Sequence, residues 1–322
     1  MEKYSLVLII LIVCAFAYLK LAVKCKIIDK PNQRSSHKKF TVRGGGIVFS
    51  IAILLFFFLN DYEYSYFVLG VFLISIISFL DDIYTLSSKI RFPFQILAIF
   101  LILYQVDLPF FPIYLFFIYF IFGIGVINMF NFMDGINGLT GMYSLSVLFG
   151  YYFINNHEGI INPELIIYSA LSILVFGFFN FRKKAIFFAG DIGSITIGML
   201  IFFLGFFLTY KLSSPLMLMI IIVYGADAGC TLLYRKFYTK ESIFDAHRHH
   251  IYQKLADYYN ISHLKISIGY ASVQILINFI IFKTYKLDLI SQSFLFLGLT
   301  LIFITLYIGF FKMLKKKQTS VI

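Results

Sequence analysis

The sequence predicts an all-α integral membrane protein in which a bundle of helices crosses a lipid bilayer many times. Of the 322 residues, 60% are hydrophobic and only 13% are charged, and the mean hydropathy is +0.88. A water-soluble domain of this length carries more charge and fewer apolar residues. The apolar residues also occur in runs close to the roughly 20 residues that a spanning helix needs. We therefore expect the lipid bilayer to surround the protein.

Eleven apolar runs fit spanning helices. They lie at 4–23, 44–59, 64–80, 92–105, 110–127, 138–154, 163–180, 191–210, 215–234, 265–283 and 289–311. The fourth run is short, so the expected number of spans is ten or eleven. No internal repeat or polar domain-sized stretch interrupts the series, and we expect residues 1–322 to form a single membrane domain.

The distribution of Lys and Arg predicts the orientation of the bundle. With the N-terminus outside, the inner loops and the C-terminal tail carry 21 Lys and Arg residues and the outer segments carry 4. Short basic loops stay on the cytoplasmic side of a membrane. We therefore expect an external N-terminus and a cytoplasmic C-terminus. The net charge of +11 then reflects topology, and no nucleic-acid partner is expected.

The first apolar run has an alternative interpretation. Lys3, the run itself and Ala15-Phe16-Ala17 also fit a signal peptide with its cleavage site. The basic residues that follow at once, from Lys20 onward, resist translocation and favour a retained helix. The three cysteines have neither metal-ligand spacing nor the even count of a disulfide framework, so we expect small membrane-embedded side chains at Cys14, Cys25 and Cys230.

Four aspartates fall on the predicted cytoplasmic side. Asp81 and Asp82 open the loop after the third run, Asp134 lies between the fifth and sixth, and Asp191 begins the eighth. Each one alone fits a solvated loop residue. Carboxylates from three loops at one membrane depth favour a cation site, because Mg²⁺ takes hard oxygen ligands and bridges protein groups to substrate phosphates. The four aspartates together therefore suggest a site for a magnesium-diphosphate complex.

Basic side chains share this face. Phosphoryl transfer needs positive charge to offset negative charge that develops on the phosphate oxygens. The candidates are Lys89, Arg91, Arg182, Lys183, Lys184, Arg235, Lys236 and Arg248. The positive-inside rule alone accounts for many of them, so their number does not by itself indicate catalysis.

A polar segment from Asn128 to Leu139 separates two apolar runs. Its amides Asn131 and Asn137 and its carboxylate Asp134 supply directional oxygen contacts. Gly135 and Gly138 allow tight turns and close approach of a ligand to the backbone. Helix capping would use one of these polar residues, so we expect the others to bind a ligand.

Two further polar segments follow. Phe188 to Ser194 leads into the eighth run with Asp191 near a helix N-terminus, where capping is the alternative to ligand binding. In the longest inner loop, Asp245 to His250 offers histidines that fit either a transition metal or, with Arg248, phosphate and sugar. Asp227 falls inside an apolar run, where an ionisable group is costly and is a functional candidate by default.

These segments, in this order, resemble the polyprenyl-phosphate N-acetylhexosamine-1-phosphate transferases, the family that also contains the phospho-N-acetylmuramoyl-pentapeptide transferase of peptidoglycan synthesis. The resemblance covers nearly the whole chain. It rests on Asp29-x-Pro31-x-x-Arg34-x-x-His37 with Arg43-Gly44-Gly45-Gly46, Asp81-Asp82 with Arg91-Phe92 and Gln95, the Asn128–Leu139 segment, Gly190-Asp191-x-Gly193-Ser194, and the histidine loop. Five segments in order, all on the side predicted from Lys and Arg, favour this family.

The resemblance implies an enzyme with a shallow cytoplasmic cleft. It would use Mg²⁺, or Mn²⁺ as an alternative, to transfer an N-acetylamino-sugar-1-phosphate from a UDP-sugar to undecaprenyl phosphate with release of UMP. The location would be the bacterial inner membrane, and a homodimer is compatible with the family. Whether an aspartate first forms a phospho-enzyme is open; we favour direct attack by the lipid phosphate.

The resemblance also implies roles for single residues. Asp191 and Asn131 would hold Mg²⁺, Phe188 would stack on uracil, and Asn137 with the backbone near Gly135 would contact the uracil edge. The catalytic carboxyl groups would be Asp81, at the lipid phosphate as a base or positioning group, together with Asp82 and Asp134. The remaining substrate-binding residues would be Arg43, Arg91, His247, Arg248, His249 and His250.

Two departures from the family bear on the substrate. Many bacterial members have aspartate where this chain has Asn137, although eukaryotic relatives share the asparagine. The stretch from His247 to Gln253 is closer to the branch that starts O-antigen or capsule repeats. UDP-N-acetylglucosamine is therefore the first choice of donor, ahead of UDP-N-acetylgalactosamine and 6-deoxy amino sugars such as N-acetylfucosamine.

Two alternatives stay open at this point. The peptidoglycan enzyme is the alternative within the family. A secondary transporter is the alternative from another class, since the number of apolar runs fits both. Transporters place ionisable groups near the bilayer midplane, often on broken helices in paired repeats. Here only Asp227 falls inside a predicted span.

Overall fold

The computed structural model describes residues 2–29, 41–108, 112–239 and 248–319, with side chains described to residue 313. Helices make up nearly all of this part of the chain. They are α1 (Glu2–Lys24), α2 (Ile47–Leu59), α3 (Ser65–Tyr84), α4 (Ser88–Gln105), α5 (Ile113–Met133), α6 (Leu139–Glu158), α7 (Pro163–Asn180), α8 (Gly190–Leu212), α9 (Ile222–Tyr234), α10 (Ile251–Tyr259), α11 (His263–Thr284) and α12 (Leu289–Thr319). A 3₁₀ segment, Pro215–Ile221, leads into α9, and a π-helical turn, Arg235–Thr239, follows it.

The predicted fold class is confirmed, because each of the eleven apolar runs is helical. Among the described residues, eight helices are long and apolar enough to cross a membrane, with the 3₁₀ segment and α9 counted as one. Three of the predicted spans are not among them. The helix α2 has only 13 residues, and α4 and α6 carry polar residues in their end turns. For these three, crossing of the bilayer stays a prediction.

The third helix extends beyond its apolar run. It ends at Tyr84 rather than at residue 80, so Asp81 and Asp82 lie in its last turn. The sequence had suggested that they lie in the following loop. The chain then turns through Thr85, which has φ 49° and whose N–H donates to the Asp81 carbonyl oxygen. A helical last turn fixes the directions of both carboxylates, which a loop would not.

The helix α8 lies at the centre of the bundle. Nearly all of its side chains are buried, and it packs against α2, α3, α5 and α6. Its apolar residues lie on every side of the helix, as expected for a helix surrounded by others. Because α8 begins at Gly190, the first turn of this central helix lies at the end of the bundle where α3 and α5 finish.

The first helix is part of the bundle. It packs on α2 and α7 through one face, whose buried residues are Val7, Leu11, Ala15, Tyr18 and Ala22. Spacings of three and four residues place these side chains on one stripe of the helix. A helix packed in this way contributes to the folded core, which favours the retained helix over the signal peptide.

A short hairpin joins α1 to the centre of the bundle. Strands β1 (Ile28–Asp29) and β2 (Thr41–Val42) pair antiparallel. Val42 also pairs with the segment before α8: its carbonyl oxygen accepts from Phe188 N at 2.8 Å. Gly45 N then donates to the Phe188 carbonyl oxygen, also at 2.8 Å. The segment around Arg43 is thereby fixed beside the N-terminus of α8.

Candidate active site

Three carboxylates and two guanidinium groups meet where α3 ends and α8 begins. Arg91, on α4, places Nη1 2.7 Å from Asp81 Oδ2 and 3.1 Å from Asp191 Oδ2. Arg43 places Nε 2.6 Å from Asp82 Oδ1 and Nη2 3.3 Å from Asp191 Oδ1. Asp191 therefore contacts both arginines, whereas Asp81 and Asp82 each contact one. We call these five residues the charge cluster.

Within the charge cluster, Asp82 caps α8. Its Oδ1 accepts from Asp191 N at 2.9 Å and its Oδ2 from Ile192 N at 3.1 Å. A carboxylate at a helix N-terminus satisfies free N–H groups and interacts favourably with the helix dipole. The side chain of Asp82 is fully buried, so it lies behind the first turn of α8. Its hydrogen bonds to the α8 backbone hold Asp191 in place.

Arg43 is held in its charged form. Burial lowers its pKa, but the carboxylates of Asp82 and Asp191 raise it more, and the pKa lies above its ordinary value. Tyr18, on α1, donates its hydroxyl to the Arg43 carbonyl oxygen. The guanidinium is thus oriented by carboxylates on two helices and by the first helix of the chain.

Glycines allow the close approach of these segments. Gly190 has φ +73°, and a Cβ there would lie 2.4 Å from Asp82 Oδ2 and 2.7 Å from Gly44 N. A Cβ on Gly46 would lie 2.3 Å from the Cα of Gly193. These distances are well inside van der Waals contact, so any larger residue would separate the Arg43 segment from α8.

A cleft of about 270 Å³ opens beside the charge cluster. Of the residues predicted for the site, it is lined by Arg43, Asn131, Asp134, Gly135, Asn137, Phe188, Asp191 and Arg248. Residues without a predicted role also line it, among them Asp29, Asn180, Ser194 and Gln253. Asp81, Asp82 and Arg91 lie behind this wall in the charge cluster. The structure thus brings together residues that are more than 200 positions apart in the chain.

Asn131 and Asp191 form one wall of the cleft. Asn131 Nδ2 donates to Asp191 Oδ1 at 3.0 Å and to Ser194 Oγ at 3.1 Å. The described residues contain no group of three or more His, Cys, Asp or Glu side chains arranged to hold a metal ion. A carboxylate and an amide oxygen nevertheless fit Mg²⁺, which often keeps water and takes other ligands from substrate phosphates. The charge cluster, with three carboxylates against two guanidinium groups, also favours a cation.

Asp134 lies at the C-terminal end of α5, on the cleft wall. Burial raises the pKa of its carboxyl group to about 6, although a hydrogen bond from the Thr140 hydroxyl lowers it. That bond joins Thr140 Oγ1 to Asp134 Oδ1 at 2.6 Å. A carboxyl group with a pKa near neutrality can accept or release a proton under cellular conditions.

Asn137 is fixed by backbone groups. Its Nδ2 donates to the carbonyl oxygens of Arg182 at 2.9 Å and Lys183 at 3.3 Å. The next residue, Gly138, donates its N–H to Asn180 Oδ1 at 2.7 Å. Asn180 Nδ2 in turn donates to the Phe187 carbonyl oxygen at 3.0 Å. Asn180 was missed in the sequence because it stands alone at the end of an apolar run.

The histidine loop divides into separate environments. His250 is buried, and its Nδ1 lies 3.2 Å from Asp227 Oδ1. His249 lies against the Tyr234 ring, with centroids 6.0 Å apart. Arg248 lines the cleft and pairs with Asp257, Nη2 to Oδ1 at 2.8 Å. His247 lies outside the described residues, so its predicted role is not addressed. The ring of His250 is directed at Asp227 within the bundle.

The convergence of these motif residues on one cleft agrees with a match to a protein family. The model of glycosyl transferase family 4 matches residues 64–209. The match confirms the predicted resemblance, since the family includes the polyprenyl-phosphate hexosamine-1-phosphate transferases and the muramoyl-pentapeptide transferase. The matched segment runs from α3 to α8 and carries Asp81, Asp191 and the Asn128–Leu139 segment. No curated protein matches the chain.

The family match supports a membrane-integral sugar-phosphate transferase. The matched segment ends before α9, so the histidine loop and Asp227 lie outside it. Arg43 lies before it. The cleft is therefore completed by residues on both sides of the family segment.

Proposed function

We propose that this membrane protein transfers an N-acetylamino-sugar-1-phosphate from a UDP-sugar to undecaprenyl phosphate. The observation that carries the proposal is the position of Asp191. It lies in the family segment, on the wall of the cleft, in contact with two arginines and Asn131. UDP-N-acetylglucosamine is the proposed donor, and the product would begin an O-antigen, capsule or other envelope glycan.

The proposed reaction is a phosphoryl substitution. An oxygen of the lipid phosphate attacks the phosphorus that carries the sugar. The bond from that phosphorus to the bridging oxygen breaks, UMP leaves with that oxygen, and a new diphosphate links lipid and sugar. Little covalent chemistry falls to the protein in such a transfer, so positioning and charge carry most of the catalysis.

The cleft residues suit the donor. Phe188 offers an aromatic face for uracil, and the polar groups near Asn137 offer contacts to its edge. Arg43 and Arg248 are the cleft guanidinium groups that would face the diphosphate and the sugar. Guanidinium groups bind phosphate oxygens through paired, planar hydrogen bonds.

The charge cluster suits the acceptor. Arg91 is shared by Asp81 and Asp191, so it connects the last turn of α3 with the cleft. We infer that Asp81 lies beside the lipid phosphate as a base or positioning group. Asp134, with its pKa near 6, is a second group able to take a proton from that phosphate.

Mg²⁺ is the proposed cofactor, with Mn²⁺ as an alternative. Asp191 and Asn131 would hold it. When bound, the metal ion would neutralise negative charge on the diphosphate oxygens. The protein residues of the charge cluster would keep Asp191 ionised and fixed in place for this purpose.

The proposed location is the bacterial inner membrane with the cleft facing the cytoplasm. The described Lys and Arg residues favour this orientation. Arg43, Arg91, Arg182 and Arg248 lie at the end of the bundle where the cleft opens. UDP-sugars are made in the cytoplasm, so a cleft on that side meets its donor directly.

UMP release tests the proposal. The purified protein in detergent is given Mg²⁺, undecaprenyl phosphate and one donor per reaction: UDP-N-acetylglucosamine, UDP-N-acetylgalactosamine, UDP-N-acetylfucosamine or UDP-muramoyl-pentapeptide. We expect release with UDP-N-acetylglucosamine that requires the lipid. Release with the pentapeptide donor alone would favour the peptidoglycan enzyme. Silence with all donors from a folded protein would contradict the proposal and favour the transporter.

A further inference from the structure

Asp227, on α9, accepts hydrogen bonds from the start of α10. Its Oδ1 lies 3.1 Å from Ile251 N and 3.2 Å from His250 Nδ1, and its Oδ2 lies 3.4 Å from Tyr252 N. Tyr270, on α11, donates its hydroxyl to the same Oδ2. The carboxylate is fully buried. Burial of an ionisable group is costly, so this set of donors is what makes the position tolerable.

The start of α10 is also attached to the Asn128–Leu139 segment. The Tyr252 hydroxyl donates to the Phe132 carbonyl oxygen at 3.2 Å. A Cβ on Gly135 would lie 2.1 Å from that hydroxyl oxygen. Gly135 therefore leaves the space in which Tyr252 packs. Tyr252 is completely buried, so this contact holds the first turn of α10 against the cleft wall.

Two cleft residues flank this attached turn. Arg248 stands two residues before His250, and Gln253 stands one residue after Tyr252; both line the cleft. Gln253 Oε1 accepts from His250 N at 3.3 Å, which closes a capping box with the His250 side chain. The backbone from 250 to 253 is thus fixed by Asp227 and Tyr252, which do not line the cleft, and by the capping box of Gln253.

We propose that Asp227 is a positioning residue that sets the place of Arg248 and Gln253 in the cleft, and that these two side chains recognise the sugar-phosphate part of the donor. The inference rests on the proposed function. A guanidinium donates to phosphate oxygens, and a carboxamide suits sugar hydroxyl and N-acetyl groups. Asp227 itself is fully buried and does not line the cleft, so it acts through these two residues.

The chemistry at the N-terminus of α10 supports this assignment. A free helix N-terminus attracts phosphate, because its N–H groups point outward. Here the N–H groups of Ile251 and Tyr252 are directed at Asp227. The protein carboxylate thus occupies the place that a phosphate would take. The phosphate must then be bound by side chains, and Arg248 is the cationic cleft residue on this loop.

A double-mutant cycle tests the proposal through donor KM. Asp227→Asn removes the charge that orients the loop donors, and we expect KM for the UDP-sugar to rise at least tenfold. Arg248→Ala should raise KM similarly. In the Arg248→Ala, Gln253→Ala background, Asp227→Asn should raise KM no further, because Asp227 acts through these two side chains. Additive losses would overturn the proposal, since independent sites add in free energy.

A second variant and a matched control guard against simple misfolding. His250→Ala removes one of the contacts to Asp227 and should also raise donor KM, without raising it further in the Arg248→Ala, Gln253→Ala background. Thr231→Val removes a hydrogen bond within α9, from Thr231 Oγ1 to Asp227 Oδ1 at 3.2 Å. The contacts of Asp227 with the loop stay in place. This variant should leave donor KM within twofold of the unchanged protein. A rise equal to that of His250→Ala would mean that general packing, not the loop, is affected.

Amide hydrogen exchange separates this inference from the proposed function. In Asp227→Asn, exchange in the peptide 249–256 should quicken at least tenfold, while a peptide in α8 stays unchanged. This readout does not depend on activity, so it stands even if no UDP-sugar is turned over. Unchanged exchange in 249–256 would overturn the anchoring role. Faster exchange with unchanged donor KM would overturn the role of Arg248 and Gln253 in recognition.

Discussion

The adjacent carboxylates Asp81 and Asp82 illustrate how neighbouring residues take different tasks. Asp82 faces inward and accepts from the backbone of α8. Asp81 faces Arg91 and through it Asp191. Since successive residues of a helix point about 100° apart, two neighbours can serve two sites. The Asp-Asp pair therefore combines a helix cap with a member of the charge cluster.

Asp191→Asn should abolish transfer. The neutral amide cannot balance two arginines, and it cannot serve as an ionised metal ligand. We expect kcat to fall by a factor of about 10² to 10³ or more, the range seen when a group that stabilises developing charge is removed. Membrane insertion and monodispersity in detergent should be unchanged.

A matched control makes the same chemical change at the other end of the bundle. Asp61 lies in the exposed turn between α2 and α3 with φ 49°, a conformation that asparagine adopts readily. Asp61→Asn should retain full turnover. Retained turnover in Asp191→Asn with Mg²⁺ present would remove Asp191 from the metal site.

Gly190→Ala should disrupt the charge cluster. At φ +73° an added Cβ is strained, and it would also overlap Asp82 Oδ2 and Gly44 N. Left-handed backbone alone costs roughly 1–2 kcal/mol for a non-glycine residue. We expect a lower thermal midpoint together with a loss of turnover. Gly225→Ala, which meets no atom within 4 Å, is the control and should lower neither.

The sequence indicated which polar residues to consider for the site, but it did not indicate which residues they contact. Asp191 and Asn131 were selected because polar residues interrupt apolar runs, and Phe188 was selected from the family resemblance. The capping role of Asp82 was not foreseen, because its partner, Asp191 N, is 109 positions away. Likewise, no pattern connects Asp227 with His250. Partners that distant depend on helix packing, which the sequence does not display directly.

At the scale of helices, hydropathy predicted which segments are helical better than it predicted the residues at which each helix begins and ends. The described part of each apolar run is almost entirely helical, but α3 and α4 extend into polar residues at the ends beside the charge cluster. The short helix α10 was not predicted, because nine residues of mixed polarity within a loop carry too weak a signal. Helices that finish in polar turns are stabilised by partners such as the charge cluster, not by apolar residues alone.

The contact of α10 with α9 and α12 contains a buried lysine. Lys254 is 5% exposed, and its Nζ lies 5.1 Å from the Tyr234 ring centroid and 5.4 Å from that of Phe311. These two rings stack on each other with centroids 4.7 Å apart. Cation–π attraction offsets part of the loss of hydration. Burial nevertheless lowers the pKa of Lys254.

Lys254→Met should therefore raise the thermal midpoint at pH 7. Because the pKa is lower in the folded protein, the charged form costs stability at neutral pH, and methionine fills the space without that cost. At pH values between the pKa of Lys254 in the folded protein and its ordinary value, the unfolded chain also binds more protons than the folded protein. The unchanged protein should thus gain stability as pH rises toward the ordinary lysine pKa, and Lys254→Met should lack this gain. Equal pH dependence in both proteins would contradict the assignment.

At the scale of the whole molecule, the charge distribution and the site point to the same end of the bundle. The orientation was predicted from 21 inner against 4 outer Lys and Arg residues. The cleft opens at the end of the bundle that carries Arg43, Arg91, Arg182 and Arg248 among the described residues. The fold class was thus predictable from composition and patterning. The sugar donor was not, because its recognition depends on side-chain positions within the cleft.

Thiol labelling of cells tests the orientation. Cys25 is exposed at the end of α1 near the cleft, whereas Cys14 and Cys230 are half-buried. In a protein with Cys14 and Cys230 replaced by alanine, a membrane-impermeant maleimide should label Cys25 only after permeabilisation. An added cysteine, Asp61→Cys, should be labelled in intact cells. The reverse pattern would contradict a cytoplasmic cleft.

The most direct test of the central claim follows the phosphate itself. A UDP-N-acetylglucosamine labelled with ³²P in the phosphate next to the sugar is incubated with the protein, Mg²⁺ and undecaprenyl phosphate. We predict that the label moves into the organic phase as lipid diphosphate sugar and that the released UMP carries none. Label recovered in water as free sugar phosphate, or in UDP with an unlabelled lipid, would contradict transfer of a sugar-1-phosphate.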